Sequence, residues 1–101
     1  HGFRDVSTMI EHHAKLTRVL GEELGLPPTT VAALGASYEQ WDGHGWPGDL
    51  KGDDVPLASR LAGMAEFLEV AHRVHGTEAA CDLARRLRGS QFDPQLADAF
   101  L

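Results

Sequence analysis

The chain has 101 residues, of which 43% are hydrophobic, and a net charge of −6. This length and composition are typical of one small globular domain with a single core. The acidic balance argues against nonspecific binding to nucleic acid or to an anionic membrane, since both need basic patches, and the single cysteine, Cys81, excludes an internal disulfide.

Two helices are predicted in the first part of the chain. Residues 5–25 carry apolar side chains at steps of three and four, which form one helical face that also includes His13. A glycine and two prolines end this helix. Thr29 or Thr30 can cap a second helix. We expect this helix to run to about Tyr38, with the Tyr38 ring on its inner face.

Three more helices are predicted after a long connection. Pro56 suits the first turn of a helix that runs to about residue 75. Thr77 caps a helix over residues 78–88, and Asp93 caps a short last helix through Leu101. Without any alternating strand pattern, this predicts an all-α bundle. The expected inner residues are Leu57, Leu61, Met64, Leu68 and Ala71 in the third helix and Ala80, Leu83, Ala84 and Leu87 in the fourth.

The stretch from Tyr38 to Gly52 holds the densest run of turn-forming residues in the chain. Its glycines and its proline cannot lie together inside a helix or a strand. The same stretch carries Trp41 and Trp46, and a mere linker does not need such large apolar anchors. It is therefore predicted to be an ordered loop that is pinned to the helical body.

This stretch reads Glu-x-Trp-Asp-Gly-x-Gly-Trp-Pro-x-x-Leu-Lys-Gly from Glu39 to Gly52. It resembles the signature loop of the HD-GYP family, His-His-Glu-x-x-Asp-Gly-x-Gly-Tyr-Pro. Residues 55–61 and 91–94 resemble the family's later "IPLxARI" and "QFDP" segments, so that the resemblance covers roughly residues 13–101. It implies an HD-superfamily-like helical bundle, here truncated. Because the sequence opens on His1 without an initiator methionine, we expect residues 1–101 to form one domain of a longer chain.

The HD superfamily consists of metal-dependent phosphohydrolases, and the resemblance implies two metal ligands in this chain. His13 matches the histidine after the family's His-Asp segment, and Glu66 stands at the position of a late metal-binding aspartate. Alternatively, His13 is a half-buried core histidine and Glu66 a solvated helix carboxylate. Ser37 and Tyr38 replace both histidines of His-His-Glu, and the chain contains no His-Asp pair. A phosphohydrolase of this class needs two or more metals. Because most of the metal ligands are replaced, we expect no cofactor in this chain. Divalent Fe, Mn or Zn is expected instead if upstream residues complete the site.

Six loop and helix residues are candidates for ligand contacts. Asp42 could line the rim of the site or simply cap its own turn. Trp46, if exposed, is a candidate hot spot for a protein partner. Lys51 and Arg60 could contact the phosphates of a cyclic dinucleotide, or act as a loop-rim lysine and as an arginine that holds the start of a helix. The six candidates are Asp42, Gly45, Trp46, Pro47, Lys51 and Arg60.

The changes at the ligand positions predict a degenerate domain of this family. We expect a cytoplasmic regulatory or interaction module whose partners are other signalling domains, or a second copy, contacted through the Trp46 loop. No nucleic-acid or membrane partner is expected, because the chain is acidic and has no apolar run long enough to span a bilayer. The alternatives are a metal-dependent cyclic di-GMP phosphodiesterase completed by upstream residues, and a sensor that binds a cyclic dinucleotide without cleaving it.

Overall fold

The structure, a computed structural model, describes the backbone of residues 2–101 and the side chains of residues 8–101. Within these residues the chain forms five α-helices and no β-strand, which confirms the predicted all-α fold. No helix in this part of the chain is long and apolar enough to cross a membrane. The helices are α1 (Gly2–Glu23), α2 (Pro28–Gly35), α3 (Leu57–His75), α4 (Thr77–Leu87) and α5 (Pro94–Phe100), with a short 3-10 helix, Gly52–Asp54, before α3.

The first two helices form a packed pair. Gly25 has a φ of +73° and ends the turn after α1, where the Leu26 N–H donates to the Gly21 carbonyl at 3.0 Å. Gly21 is buried, and a Cβ there would lie 3.2 Å from the Val31 side chain, so this glycine allows the helices to approach. The predicted threonine cap is wrong. α2 begins at Pro28 without a side-chain cap, and the N–H groups of Thr30 and Val31 both donate to the Pro27 carbonyl at 3.0 Å.

α2 ends at Gly35, three residues before the predicted end. The Ala36 N–H closes the last turn on the carbonyls of Ala32 and Ala33, and the chain then turns away. Tyr38 therefore lies outside the helix, and its helical phase no longer determines where its ring points. The predicted inner position of Tyr38 is wrong, since the residue is 48% exposed.

The main core lies between α3, α4 and the C-terminal segment. The start of α3 differs from the prediction, because Leu57 and Leu61 are 57% and 50% exposed. Ser59 points inward instead, and its hydroxyl donates to the Ala33 carbonyl at 2.7 Å, so α3 meets α2 through small side chains. The buried core residues are Met64, Leu68, Ala84, Phe92 and Ala97, with Leu83, Leu87 and Leu96 packed against them.

The predicted end of α3 at about residue 75 and the predicted start of α5 are confirmed, whereas one predicted cap is wrong. Gly76 ends α3 with a φ of +95°. The Asp93 carboxylate caps α5 by accepting a hydrogen bond from the Gln95 N–H at 2.8 Å. The Thr77 cap is wrong, because Gly76 itself is the residue before α4 and no side chain caps that helix.

Candidate functional site

The loop between α2 and α3 is closed by one carboxylate, that of Glu39. Its Oε1 accepts a hydrogen bond from the Gly48 N–H at 2.7 Å. Its Oε2 accepts hydrogen bonds from the N–H groups of Asp49 at 3.1 Å and Leu50 at 2.8 Å. Charge-assisted bonds of this kind are among the stronger hydrogen bonds in proteins. Sequence reasoning missed this role, although a carboxylate that precedes a glycine-rich segment with many free N–H groups was a signal for it.

Gly45 lies where two parts of the loop touch. A Cβ at this position would be 2.5 Å from the Gln40 nitrogen and 2.5 Å from the Tyr38 carbonyl oxygen. Beside this contact, the Trp46 N–H donates to the same Tyr38 oxygen at 2.9 Å, and a cis peptide bond leads on to Pro47. Only glycine fits here without displacing backbone. The structure therefore gives Gly45 a steric role, and ligand contacts of Gly45, Trp46 and Pro47 remain predictions.

Asp42 caps its own turn, as one of the two predicted alternatives has it. Its Oδ1 accepts a hydrogen bond from the His44 N–H at 2.9 Å, which is an Asx turn. The His44 ring nitrogen Nδ1 lies 3.4 Å from Oδ2, on a side chain that is 84% exposed. His44 is thus a surface residue. Whether Asp42 also contacts a ligand remains a prediction.

Arg60 joins three separate segments of the chain. Its Nε donates to the Val55 carbonyl at 2.9 Å, just before α3, and one terminal nitrogen donates to Asp93 Oδ2 at 2.6 Å. Its guanidinium carbon lies 5.7 Å from the centroid of the Trp41 ring, within the range of a cation–π contact. The Arg60 side chain is 14% exposed and that of Asp93 only 4%. These contacts match the alternative in which Arg60 holds the start of the helix.

Backbone hydrogen bonds also fix the loop to the turn between α4 and α5. The N–H groups of Trp41 and Asp42 donate to the carbonyls of Gln91 at 3.3 Å and Ser90 at 2.9 Å. Within the loop itself, the Trp41 carbonyl accepts a hydrogen bond from the Gly52 N–H at 2.8 Å. The predicted ordered loop is therefore confirmed, and Trp41 lies at its centre as the predicted anchor.

Lys51 lies at the loop rim. Its aliphatic chain passes close to Gly43, where an added Cβ would be 3.3 Å from the Lys51 Cβ. Gly43 has a φ of +82°, a conformation that glycine adopts readily. This position matches the alternative of a loop-rim lysine, and the phosphate contact of Lys51 remains a prediction.

The predicted metal ligands lie on different helices. His13 is exposed on α1, with its ring edge-on to Tyr38 at a centroid distance of 5.8 Å, so the alternative of a half-buried core histidine is wrong. Glu66 is exposed on α3. Residues 8–101 contain no group of three or more His, Cys, Asp or Glu side chains placed to hold a metal ion. Metal binding by His13 and Glu66 remains a prediction.

A cavity of about 550 Å³ opens between the loop and α3. Aromatic side chains form much of its wall, and Glu66 contributes to its rim. α1 reaches this cavity through Ile10. The aromatic side chains of the wall are Tyr38, Trp41, Trp46, Phe67 and Phe92.

One further ion pair connects α5 to the end of α4. Two Arg88 nitrogens donate to the two Asp98 oxygens at 2.7 and 2.9 Å. The hydrogen bond from Arg88 holds the pKa of Asp98 below its ordinary value of 3.8. In return, the hydrogen bond to Asp98 raises the pKa of Arg88.

These helices and this loop are matched by a known family. The sequence model of the protein family described as the HD domain matches residues 4–96, and the chain therefore belongs to the HD domain family. More particularly, its relatives are of the HD-GYP type, which confirms the predicted resemblance.

The similar proteins come from Vibrio cholerae. Over 70 residues the chain is 41% identical to a probable cyclic di-GMP phosphodiesterase, a match that covers 63% of this chain and 16% of that protein. Over 79 residues it is 30% identical to a 3'3'-cGAMP-specific phosphodiesterase, covering 78% of this chain and 17% of that protein. The crystal structure of a cyclic GMP-AMP-specific phosphodiesterase superposes with a TM-score of 0.87 at 26% identity, over 94% of this chain and 23% of that one. The chain thus spans about a sixth of the length of the curated relatives.

Proposed function

We propose that this chain is a degenerate HD-GYP-type domain that acts as a cytoplasmic regulatory or protein-interaction module in bacterial signalling. The support comes from residues 37–39, which stand at the His-His-Glu positions. The Ser37 hydroxyl donates to the Leu34 carbonyl at 2.7 Å, and the Tyr38 ring lies against His13. Glu39 binds three loop N–H groups with its two oxygens. The side chains at these three positions therefore contact other groups of the chain itself, namely backbone carbonyl and N–H groups and the His13 ring.

The proposed contact surface is the Trp46 loop, residues 44–50. His44 and Pro47 are exposed there, while Trp46 is half-buried beside them. Glu39 fixes the second half of this segment before any partner arrives, and preorganised loops lose less conformational entropy on binding. The partner is another signalling domain or a second copy of the chain.

Metal content tests the proposal directly. Fe, Mn and Zn are measured in the purified protein by mass spectrometry, and hydrolysis of cyclic di-GMP is assayed on the same sample. We expect substoichiometric metal and no hydrolysis, because Ser37 and Tyr38 offer hydroxyl groups where the family pattern has imidazoles. A matched variant with Ser37→His and Tyr38→His shows whether the surrounding residues can still complete a site. Two tightly bound metals per chain in the unsubstituted protein would overturn the proposal.

The second candidate function is a metal-dependent phosphohydrolase that acts on a cyclic dinucleotide. It is favoured by the 41% identity to a probable cyclic di-GMP phosphodiesterase and by the position of Glu66 on the rim of the cavity. In this enzyme Lys51 and Arg60 contact the phosphates. His13 and Glu66 are metal ligands, and residues beyond this chain supply the other ligands of the metal site. Hydrolysis that disappears with a chelator and returns with Mn²⁺ would establish it.

A sensor that binds a cyclic dinucleotide without cleaving it is the remaining alternative. Calorimetry with cyclic di-GMP distinguishes it, since a saturable heat signal without product formation is the expected result for a sensor. A flat titration would remove it.

A further inference from the structure

We propose that the aromatic cavity between α3 and the loop that joins α2 to α3 binds a small organic cation of the alkylated ammonium class. This inference goes beyond the interaction role and rests on the proposed function in one respect, namely that no metal centre occupies the cavity. It assigns a chemical class of ligand that differs from the anionic dinucleotides named for the relatives.

The size and wall of the cavity suit such a ligand. Its volume of about 550 Å³ falls within the range of about 300–1,000 Å³ that is usual for small-molecule sites. Three of its five aromatic side chains come from the loop, one from α3 and one from the turn before α5. The faces of tryptophan and tyrosine rings attract cations, and quaternary ammonium groups are commonly held by several such rings. Arg60 already makes this contact with Trp41 at 5.7 Å, so the Trp41 ring is not counted among those that would contact the ligand.

The charges around the cavity favour a cation over a phosphate. The described lining residues include one arginine and two glutamates. Arg60 is paired with the buried Asp93 at 2.6 Å, and Glu39 is bound to three backbone N–H groups. Glu66 forms no ion pair with the described part of the chain, so its charge is available to a ligand. A carboxylate beside aromatic faces, in a chain of net charge −6, attracts cations and repels phosphates.

The test compares two ligands of the same shape. The purified protein is titrated with choline and with 3,3-dimethyl-1-butanol, in which carbon replaces the charged nitrogen, and tryptophan fluorescence and calorimetry are recorded. We expect choline to bind at least about tenfold more tightly, because only the charged ligand gains the cation–π and carboxylate contacts. Added salt should weaken choline binding and leave the neutral compound unaffected.

Two matched variants on α3 locate the site. Glu66→Gln keeps the side-chain size and should weaken choline binding about fivefold to tenfold, while binding of the neutral compound stays the same. Glu69→Gln is the control, because Glu69 pairs with Arg73 at 2.8 Å and does not line this cavity. The control should leave both affinities unchanged.

Each outcome decides one point. Equal affinity for the two compounds, or an equal effect of the two variants, would overturn the assignment of a cation site at Glu66. If neither compound binds and the same sample has substoichiometric metal, the inference fails and the proposed function stands. Tightly bound metal in that sample counts against the proposed function itself.

Discussion

Replacing Gly45 with alanine tests whether the close approach inside the loop determines the stability of the domain. The added Cβ would lie 2.5 Å from two backbone atoms, the Gln40 nitrogen and the Tyr38 oxygen, and 2.7 Å from the Glu39 carbonyl carbon. Ordinary contacts between carbon atoms lie at about 3.5–4.0 Å. The backbone must therefore move by about 1 Å for the methyl group to fit.

The surrounding contacts resist this movement. The Trp46 N–H donates to the Tyr38 oxygen at 2.9 Å, and Glu39 binds the next part of the loop through three hydrogen bonds. A flexible side chain could rotate away from the methyl group, but all three nearest atoms belong to backbone. We therefore expect a loss near the upper end of the usual overpacking range, about 3 kcal/mol in the free energy of unfolding.

Urea unfolding followed by far-UV circular dichroism measures this loss, and tryptophan fluorescence reports on the loop. Gly63→Ala is the matched control, because a Cβ at this position in α3 meets nothing within 4 Å. Inside a helix this change should stabilise the protein by about 0.5–1 kcal/mol. If Gly45→Ala unfolds within about 0.5 kcal/mol of the wild type, with unchanged fluorescence, the reasoning from close approach is refuted.

Three other contacts of the domain can be tested by substitution. Arg60→Met should lower the free energy of unfolding by about 3 kcal/mol in urea titrations, because it leaves the buried Asp93 without its ion-pair partner. Adding Asp93→Asn should restore part of that loss. Equal stability of Arg60→Met and wild type would contradict this prediction. Glu39→Ala should lower the free energy of unfolding by about 2 kcal/mol and speed hydrogen exchange in the loop, whereas Glu39→Gln should have a smaller effect. Unchanged hydrogen exchange in the alanine variant would count against the conclusion that the Glu39 carboxylate closes the loop. Because the folded-state pKa of Asp98 is depressed, its pairing with Arg88 stabilises the protein above pH 3.8, and this stabilisation is lost as the pH falls below that value. The free energies of unfolding of wild type and Asp98→Asn should therefore converge below pH 3.8 in acid titrations. A constant difference between the two would exclude this linkage.

Helix ends could be predicted wherever one residue type determines them locally. Gly25 and Gly76 both have positive φ values at helix ends, and Asp93 caps α5 with its own side chain. These features need no knowledge of the rest of the fold. The end of α2 at Gly35 was missed, although glycine is a weak helix former and so a local signal for a helix end.

Side-chain direction at the start of α3 was harder to predict. The apolar stripe placed Leu57 and Leu61 inside, because periodicity assigns large apolar residues to the core. The structure places Ser59 inside, since its hydroxyl can satisfy the Ala33 carbonyl where the two helices touch. Leu61 instead lines an open groove with Leu96 of α5. Which of two adjacent helical faces is buried depends on the neighbouring helix, which the pattern of α3 alone does not contain.

The contacts of the site depend on partners that are distant in the sequence. Arg60 and Asp93 are separated by 33 positions, and nothing local selects Asp93 from the 15 acidic residues of the chain. The motif indicated that the loop is ordered, but it did not show that Glu39 closes it. Resemblance to a family located the loop, and only three-dimensional packing revealed which groups hold it.

The hydrogen bonds and the cation–π contact that hold the loop do not involve the residues proposed as metal ligands, although the Tyr38 ring lies against His13. Glu39 binds loop N–H groups, Gly45 allows the backbone to cross, and Arg60 joins Trp41 to the C-terminal turn. His13 and Glu66 take no part in these contacts. These loop contacts come from the chain's own residues, and under our proposal a chain that replaces the family's histidines keeps the loop in this arrangement. This separation between the loop contacts and the ligand positions supports the proposal of an interaction role without hydrolysis.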